Sequence, residues 1–138
     1  MVEGQPLLSS NQWEDVKKGG DAAIKRWINE QMSGKSCQIV LIGSYTSGRE
    51  WIEYETIKAW DDKKGVMGIY VHNLKDLNGD QAQKGRNPFD NLKLGNTKLS
   101  SIVPVYDPPY TISTSVYNHI KQNLSQWVEN AIAVRGKY

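Results

Sequence analysis

An α/β fold with a doubly wound parallel sheet is predicted by two features of this 138-residue chain. Its segments run in the order helix, strand, helix, strand, long loop, strand, helix, the alternation that places helices on the faces of a parallel sheet with right-handed crossovers. Its strand-like segments are short, almost continuous apolar runs rich in β-branched residues, as in parallel strands covered on both faces. About three strands are recognisable, against the roughly five of a doubly wound sheet, whose central strand lies near the start of the chain. The sheet is therefore expected to be N-terminally truncated, with one or two β-α units missing upstream of a single domain spanning 1–138.

Gly19 and Gly20 close a polar lead, and "DAAIKRWINEQM" then spaces Ile24, Trp27, Ile28 and Met32 as an amphipathic helix, about 21 to 33, stopped by Gly34. "SCQIVLIG" reads as the first strand, ended by Gly43. In "SGREWIEYETIKAWDD", Ser47 and Glu50 have the spacing of a capping box, in which each side chain satisfies an orphan backbone donor. A helix is expected from near Gly48. "GVMGIYVHN" is the second strand and "SSIVPVYD" the third, which Pro104 pushes to a sheet edge because it has no N–H to donate. Between them, "LKDLNGDQAQKGRNPFDNLKLGNTKL" shows only turn chemistry, such as Asn78-Gly79 and Asn87-Pro88, and is long enough to be functional or mobile. The last helix, roughly 114 to 135, carries Val116, Ile120, Leu124, Trp127, Val128 and Ala131 on one stripe, with Gly136 as its stop.

Composition removes several functions. Hydrophobic residues at 38% and charged ones at 23% give an ordinary globular balance, and no apolar run approaches the ~20 residues of a membrane span. The net charge of +2 is scattered rather than gathered into a stripe, which argues against nucleic acid. His72 and His119 lie far apart, and Cys37 has no second cysteine at zinc-ligand spacing, so no metal site is expected. Cys37 reads as a small buried thiol. "MVEGQPLLSSNQWED" has neither a basic n-region nor a long apolar core, and a cytoplasmic location is expected.

In open parallel sheets ligands bind beyond the carboxyl ends of the strands, here Gly43-Ser44-Tyr45, His72-Asn73 and Tyr106-Asp107. On a helical wheel Trp51, Ile52, Glu55 and Ala59 share one arc of about 100°, predicted to be buried, and Glu55 is its only charge. A buried carboxylate requires a partner or a purpose: a salt bridge, a hydrogen bond to a neighbouring loop, or chemistry. Trp51 and Tyr54 beside it either pack the core or exclude water and stack on a ring. His72 either contacts a phosphate or base or is a hydrogen-bonded structural residue. Ser44 and Tyr45 either reach a nucleotide or merely begin the loop. Asn87 belongs to a turn or lines a pocket, and Phe89, the one phenylalanine, plugs the long loop onto the core.

"DAAIKRWINEQMSGKSCQIVLIGSYTSGREWIEYETIKAW" resembles the middle of a TIR domain, a flavodoxin-like fold. The wording is closer still to the B-type TIR-like proteins of the Thoeris anti-phage defence system. The shared motifs are "VLIG" at Val40 to Gly43, Trp51 with Tyr54-Glu55, "GIYVHNLKD" from Gly68 to Asp76, and "GRNPF" from Gly85 to Phe89. The resemblance spans about 13 to 107. The family's opening strand, helix and strand find no counterpart, and Ile52 stands where many members have cysteine. What the resemblance implies is a signalling enzyme that cleaves the nicotinamide–ribose bond of NAD to give an ADP-ribose-derived messenger. Glu55 would be catalytic, and Ser44, Tyr45, Trp51, Tyr54, His72 and Asn73 would bind substrate. NAD would be a substrate, with no separate cofactor. Implied partners are other TIR-like domains or further copies of the chain, and a downstream effector reached through a diffusible nucleotide. Two other readings remain beside it: a non-catalytic TIR-like assembly module, and a truncated inactive copy.

Overall fold

The computed structural model describes residues 23–138 apart from 25, 29, 31–35, 76 and 77. Three parallel strands form the main sheet. β1 (Cys37–Ile42) pairs with β2 (Gly65–Tyr70) from Cys37↔Gly65 through Ile42↔Tyr70. β2 pairs in turn with β5 (Val105–Tyr106) at Gly68↔Val105 and Ile69↔Tyr106. The order β1-β2-β5 puts β2 in the centre, where five of its six residues are buried, as its continuous apolar run requires. β5 lies at an edge, as Pro104 dictates, although the Pro104 carbonyl still accepts from Gly68 N–H at 3.0 Å. β5 is far shorter than the predicted segment because Leu99–Ser101 forms a 3-10 turn and the Ile102 and Val103 N–H groups bond back to the Leu99 carbonyl.

Helices cover both faces. The first, α1, is helical at described residues 23, 24, 26–28 and 30; Met32 and Gly34 lie outside the described residues. Its Ile24, Trp27 and Ile28 join the apolar stripe of α3 (Ser113–Arg135) and strand residues Met67 and Ile69 in one core. The opposite face of the sheet, led by Val40, Ile42 and Val66, is covered by α2 (Glu50–Asp61) and by the long connection. Gly65 sets the spacing of α3 against the sheet: a Cβ there would lie 2.8 Å from Ile132 N and 2.9 Å from the Ala131 carbonyl carbon.

The connection between β2 and β5 holds more structure than its turn chemistry suggested. Asn87 Oδ1 accepts from Phe89 N–H at 2.9 Å and caps a 3-10 turn, Pro88–Asn91, which drives Phe89 into the core at zero exposure. A two-residue hairpin follows, β3 (Lys93–Leu94) with β4 (Thr97–Lys98), turned at Gly95 with φ 64°.

Two expectations for α2 fail. The capping box does not form: Arg49 is the N-cap, without a side-chain cap bond, and Ser47 Oγ accepts instead from Asn91 Nδ2 at 3.1 Å. Nor is the buried stripe the predicted one. Ile52, Thr56, Ala59 and Trp60 face the core, while Trp51 is 56% exposed and Glu55 is exposed. The large Trp60 ring claims the interior and turns the helix about its axis, so that Trp51 and Glu55 fall on its flank. There they face the free side of β1, an edge strand among the described residues.

Candidate functional site

Two grooves open around the loop that follows β1. The first, about 490 Å³, runs along the free side of β1 and is lined by Ile39, Leu41, Tyr45, Arg49, Trp51 and Glu55, among others. Ile39 and Leu41 are half-buried and supply an apolar floor, while Arg49 and Glu55 place one cation and one carboxylate on the α2 wall. Arg49 is steadied by its Nε, which donates to the Tyr45 carbonyl at 2.7 Å. Gly43 N–H donates to Thr46 Oγ1 at 2.9 Å, which turns the chain sharply off the strand and projects Tyr45 outward at 80% exposure.

The second groove, about 660 Å³, lies at the carboxyl end of the strands between Ser44–Gly48 and Lys84–Asn91, and shares Tyr45 with the first. Ser44 Oγ donates to the Gln83 carbonyl, tying the two segments together. Gly85 lets them touch, since a Cβ there would run into the Gly43 and Ser44 carbonyls. Lys84 Nζ bonds Asp107 at 2.8 Å and sits 4.5 Å over the Tyr70 ring. That bond to Asp107 raises the Lys84 pKa above its ordinary value. Tyr70 is raised in turn, chiefly by burial. The ends of β2 and β5 and the long connection are thereby joined in one place.

The structure thus brings Glu55, Trp51 and Tyr45 together in one groove and Ser44 and Tyr45 in the other. It does not bring the remaining sequence candidates there. Tyr54 is 69% exposed and lines neither groove. His72 packs edge-on to Tyr70 at 6.0 Å, and its buried Nδ1 has no hydrogen-bond partner among the described residues. Asn73 Nδ2 donates to the Tyr110 carbonyl at 2.9 Å and its own carbonyl accepts from Gln81 Nε2, which fixes the loop after β2. Trp51, exposed on the helix flank, is not a core residue among the described ones. Among the described residues no cluster of three His, Cys, Asp or Glu side chains could hold a metal, and no helix is long and apolar enough to cross a membrane.

A family model described as the Thoeris protein ThsB, TIR-like domain, matches residues 2–76, more than half of the chain. The chain belongs to this family. A Bacillus cereus (strain MSX-D12) protein with the provisional name cyclic ADP-D-ribose synthase ThsB1 is 41% identical over 86 residues, covering 62% of this chain and 45% of the relative. The chain therefore spans under half the length of that curated relative. Within the match to the TIR-like family fall β1, α2 and β2, and with them every residue of the first groove. The second groove draws half its wall from residues beyond the match.

Those outer residues, Lys84, Arg86 and Asn91, are the part of the site that sequence reasoning missed. Lys84 and Arg86 sit on either side of Gly85, the first residue of the "GRNPF" motif, so alternating cations around a contact glycine were the available signal. For Asn91 no local signal exists, because its partner Ser47 lies 44 residues earlier.

Proposed function

We propose that the chain carries the catalytic portion of an NAD-processing TIR-like signalling enzyme of anti-phage defence, with Glu55 as the acting carboxylate. The observation that carries this reading is the shared placement of Glu55, Trp51 and Tyr45 on one groove in a chain of the ThsB TIR-like family. Cleavage breaks the bond between ribose C1′ and the nicotinamide nitrogen; the electron pair leaves with nicotinamide, and positive charge develops on the ribose as in glycoside hydrolysis. Glu55 stabilises that charge electrostatically. Trp51 and Tyr45, both exposed, offer ring faces on which the bases stack. The cation is then captured by a nucleophile of the ADP-ribose part itself, closing a ring with loss of one proton, or by water. The name borne by the relative favours ring closure. NAD is thus a substrate, and the product is the messenger read by a downstream effector.

Incubation with NAD, followed by chromatography, should show nicotinamide and an ADP-ribose-derived product. Glu55→Gln should lower nicotinamide release by at least a hundred-fold while leaving the fold intact, since Glu55 is exposed. Unchanged release in Glu55→Gln sinks the assignment.

One observation favours a second reading, an assembly module. Tyr45, Trp51, Tyr54 and Ile57 are all exposed around α2. Self-association in sedimentation, lost in Trp51→Ser, with no NAD turnover at any protein concentration, would select it.

A further inference from the structure

The second groove has a chemistry of its own. Its lining residues include two cations, Lys84 and Arg86, two hydroxyls, Ser44 and Ser47, and the Asn91 amide, but no carboxylate. The hydrogen bonds decide which of these remain available. Ser44 spends its proton on the Gln83 carbonyl. Ser47 does not, because its oxygen accepts from Asn91 and its own proton is left to seek an acceptor. Asn91 Nδ2 keeps a second N–H, and Lys84 Nζ keeps two beyond its bond to Asp107. Arg86 is exposed and, among the described residues, makes neither a hydrogen bond nor an ion pair, so its whole donor fork is unspent. The groove is therefore rich in donors and poor in acceptors.

Asp107 is committed to Lys84, and Asp90 acts on Tyr70 from the 3-10 turn. Glu50 and Glu53 in the first turn of α2 oppose an anion, against the favourable field of the helix N-terminus. The lining itself stays cationic.

We propose that this groove is an anion subsite that holds the diphosphate of the dinucleotide, with Arg86 as its principal charged contact and Ser47 and Asn91 as neutral donors. This rests on the NAD-processing reading and assigns the phosphates to the groove across Tyr45 from Glu55. Planar guanidinium groups match phosphate oxygens two at a time, which a lone ammonium cannot do. Lys84 then serves to position Arg86: its bond to Asp107 anchors the segment, and Gly85 between them rests on the Gly43 carbonyl.

Calorimetric titration of the protein with ADP-ribose, pyrophosphate and adenosine tests this. ADP-ribose and pyrophosphate should bind and adenosine should bind far more weakly. Arg86→Gln should weaken both phosphate ligands roughly ten- to hundred-fold, and Arg86→Lys should recover part of the loss. In turnover, Arg86→Gln should raise KM for NAD with kcat retained. Unchanged affinity for both ligands in Arg86→Gln overturns the subsite, as does adenosine binding as tightly as ADP-ribose. Pyrophosphate binding as tightly as ADP-ribose overturns the dinucleotide as occupant and leaves a site for free phosphoanions. The two readings fail separately. Loss of nicotinamide release in Glu55→Gln with Arg86→Gln silent removes the subsite alone. Phosphate binding that depends on Arg86, with Glu55→Gln silent, removes the NAD chemistry alone.

Discussion

Cys37 opens β1 with its side chain in the core at 5% exposure, and burial pushes its thiol up to about 12 from an ordinary 9.0. The folded protein holds this proton more tightly than the unfolded chain does, so the contribution to stability is intact below pH 9 and is lost as pH rises toward 12. Two results are expected. Iodoacetamide at pH 8 should leave native Cys37 unmodified and label it once urea unfolds the chain. Between pH 9 and 11, Cys37→Ala should lose less urea stability than the parent chain; an equal loss in both would place the alkaline sensitivity elsewhere. The sequence indicated this inert thiol correctly. It misjudged Glu55, because a wheel counts angles and not volumes, and the Trp60 ring decides which flank of α2 turns inward. Thr56 is buried on that inward flank, its hydroxyl without a hydrogen-bond partner among the described residues.

Among the elements, α2 ends on a borrowed cap. Nε and Nη2 of Arg135, in the last turn of α3, donate to the Trp60 carbonyl at 3.0 and 2.9 Å, and the guanidinium lies 4.4 Å from the Trp60 ring. Helix ends leave carbonyls short of partners; this one accepts from Lys63 N–H at 3.0 Å, and the charged fork adds two further bonds. Arg135→Ala should cost about 1–3 kcal/mol in urea unfolding. Arg135→Lys should restore only part of it, since an ammonium cannot make the paired bonds; full rescue would mean that charge alone matters. The helices and the first two strands were legible because period and apolar runs are local properties. The caps were not: Ser47 is taken by Asn91 and Trp60 by Arg135, partners distant in sequence. The hairpin at Gly95 did carry a local signal, a two-residue Gly-Asn turn between short flanks, that a reading of the loop as turn chemistry alone passed over. The first groove was half legible, through Glu55, Trp51 and Tyr45, and the second only through Ser44 and Tyr45.

At the scale of the whole molecule, stability should be graded outward from β2. Its amides bond to both sides, Gly68 to Pro104 at 3.0 Å and Gly65 to Ser36 at 2.7 Å, and both cores rest on it. Hydrogen exchange should therefore be slowest in β2, at the rate of global unfolding, with β1 faster and Gly79 and Asp80 fastest of the three. Uniform protection across β1 and β2 would show that the free side of β1 is covered in solution.

The contact of Gly85 with the loop after β1 has one more consequence, for what the chain will accept from an engineer. It pins the long connection a few residues after the exposed Asn78-Gly79 turn, beyond the bonds that tie Gln81 to the Asn73 and Thr111 carbonyls. An epitope or fluorophore inserted at Asn78-Gly79, where both residues are exposed and Gly79 already turns with φ 82°, would dangle from a closed base. A single residue added between Gly85 and Phe89 would force either the pivot or the plug out of place. The absence of one side chain thus marks where the molecule can be lengthened and where it cannot.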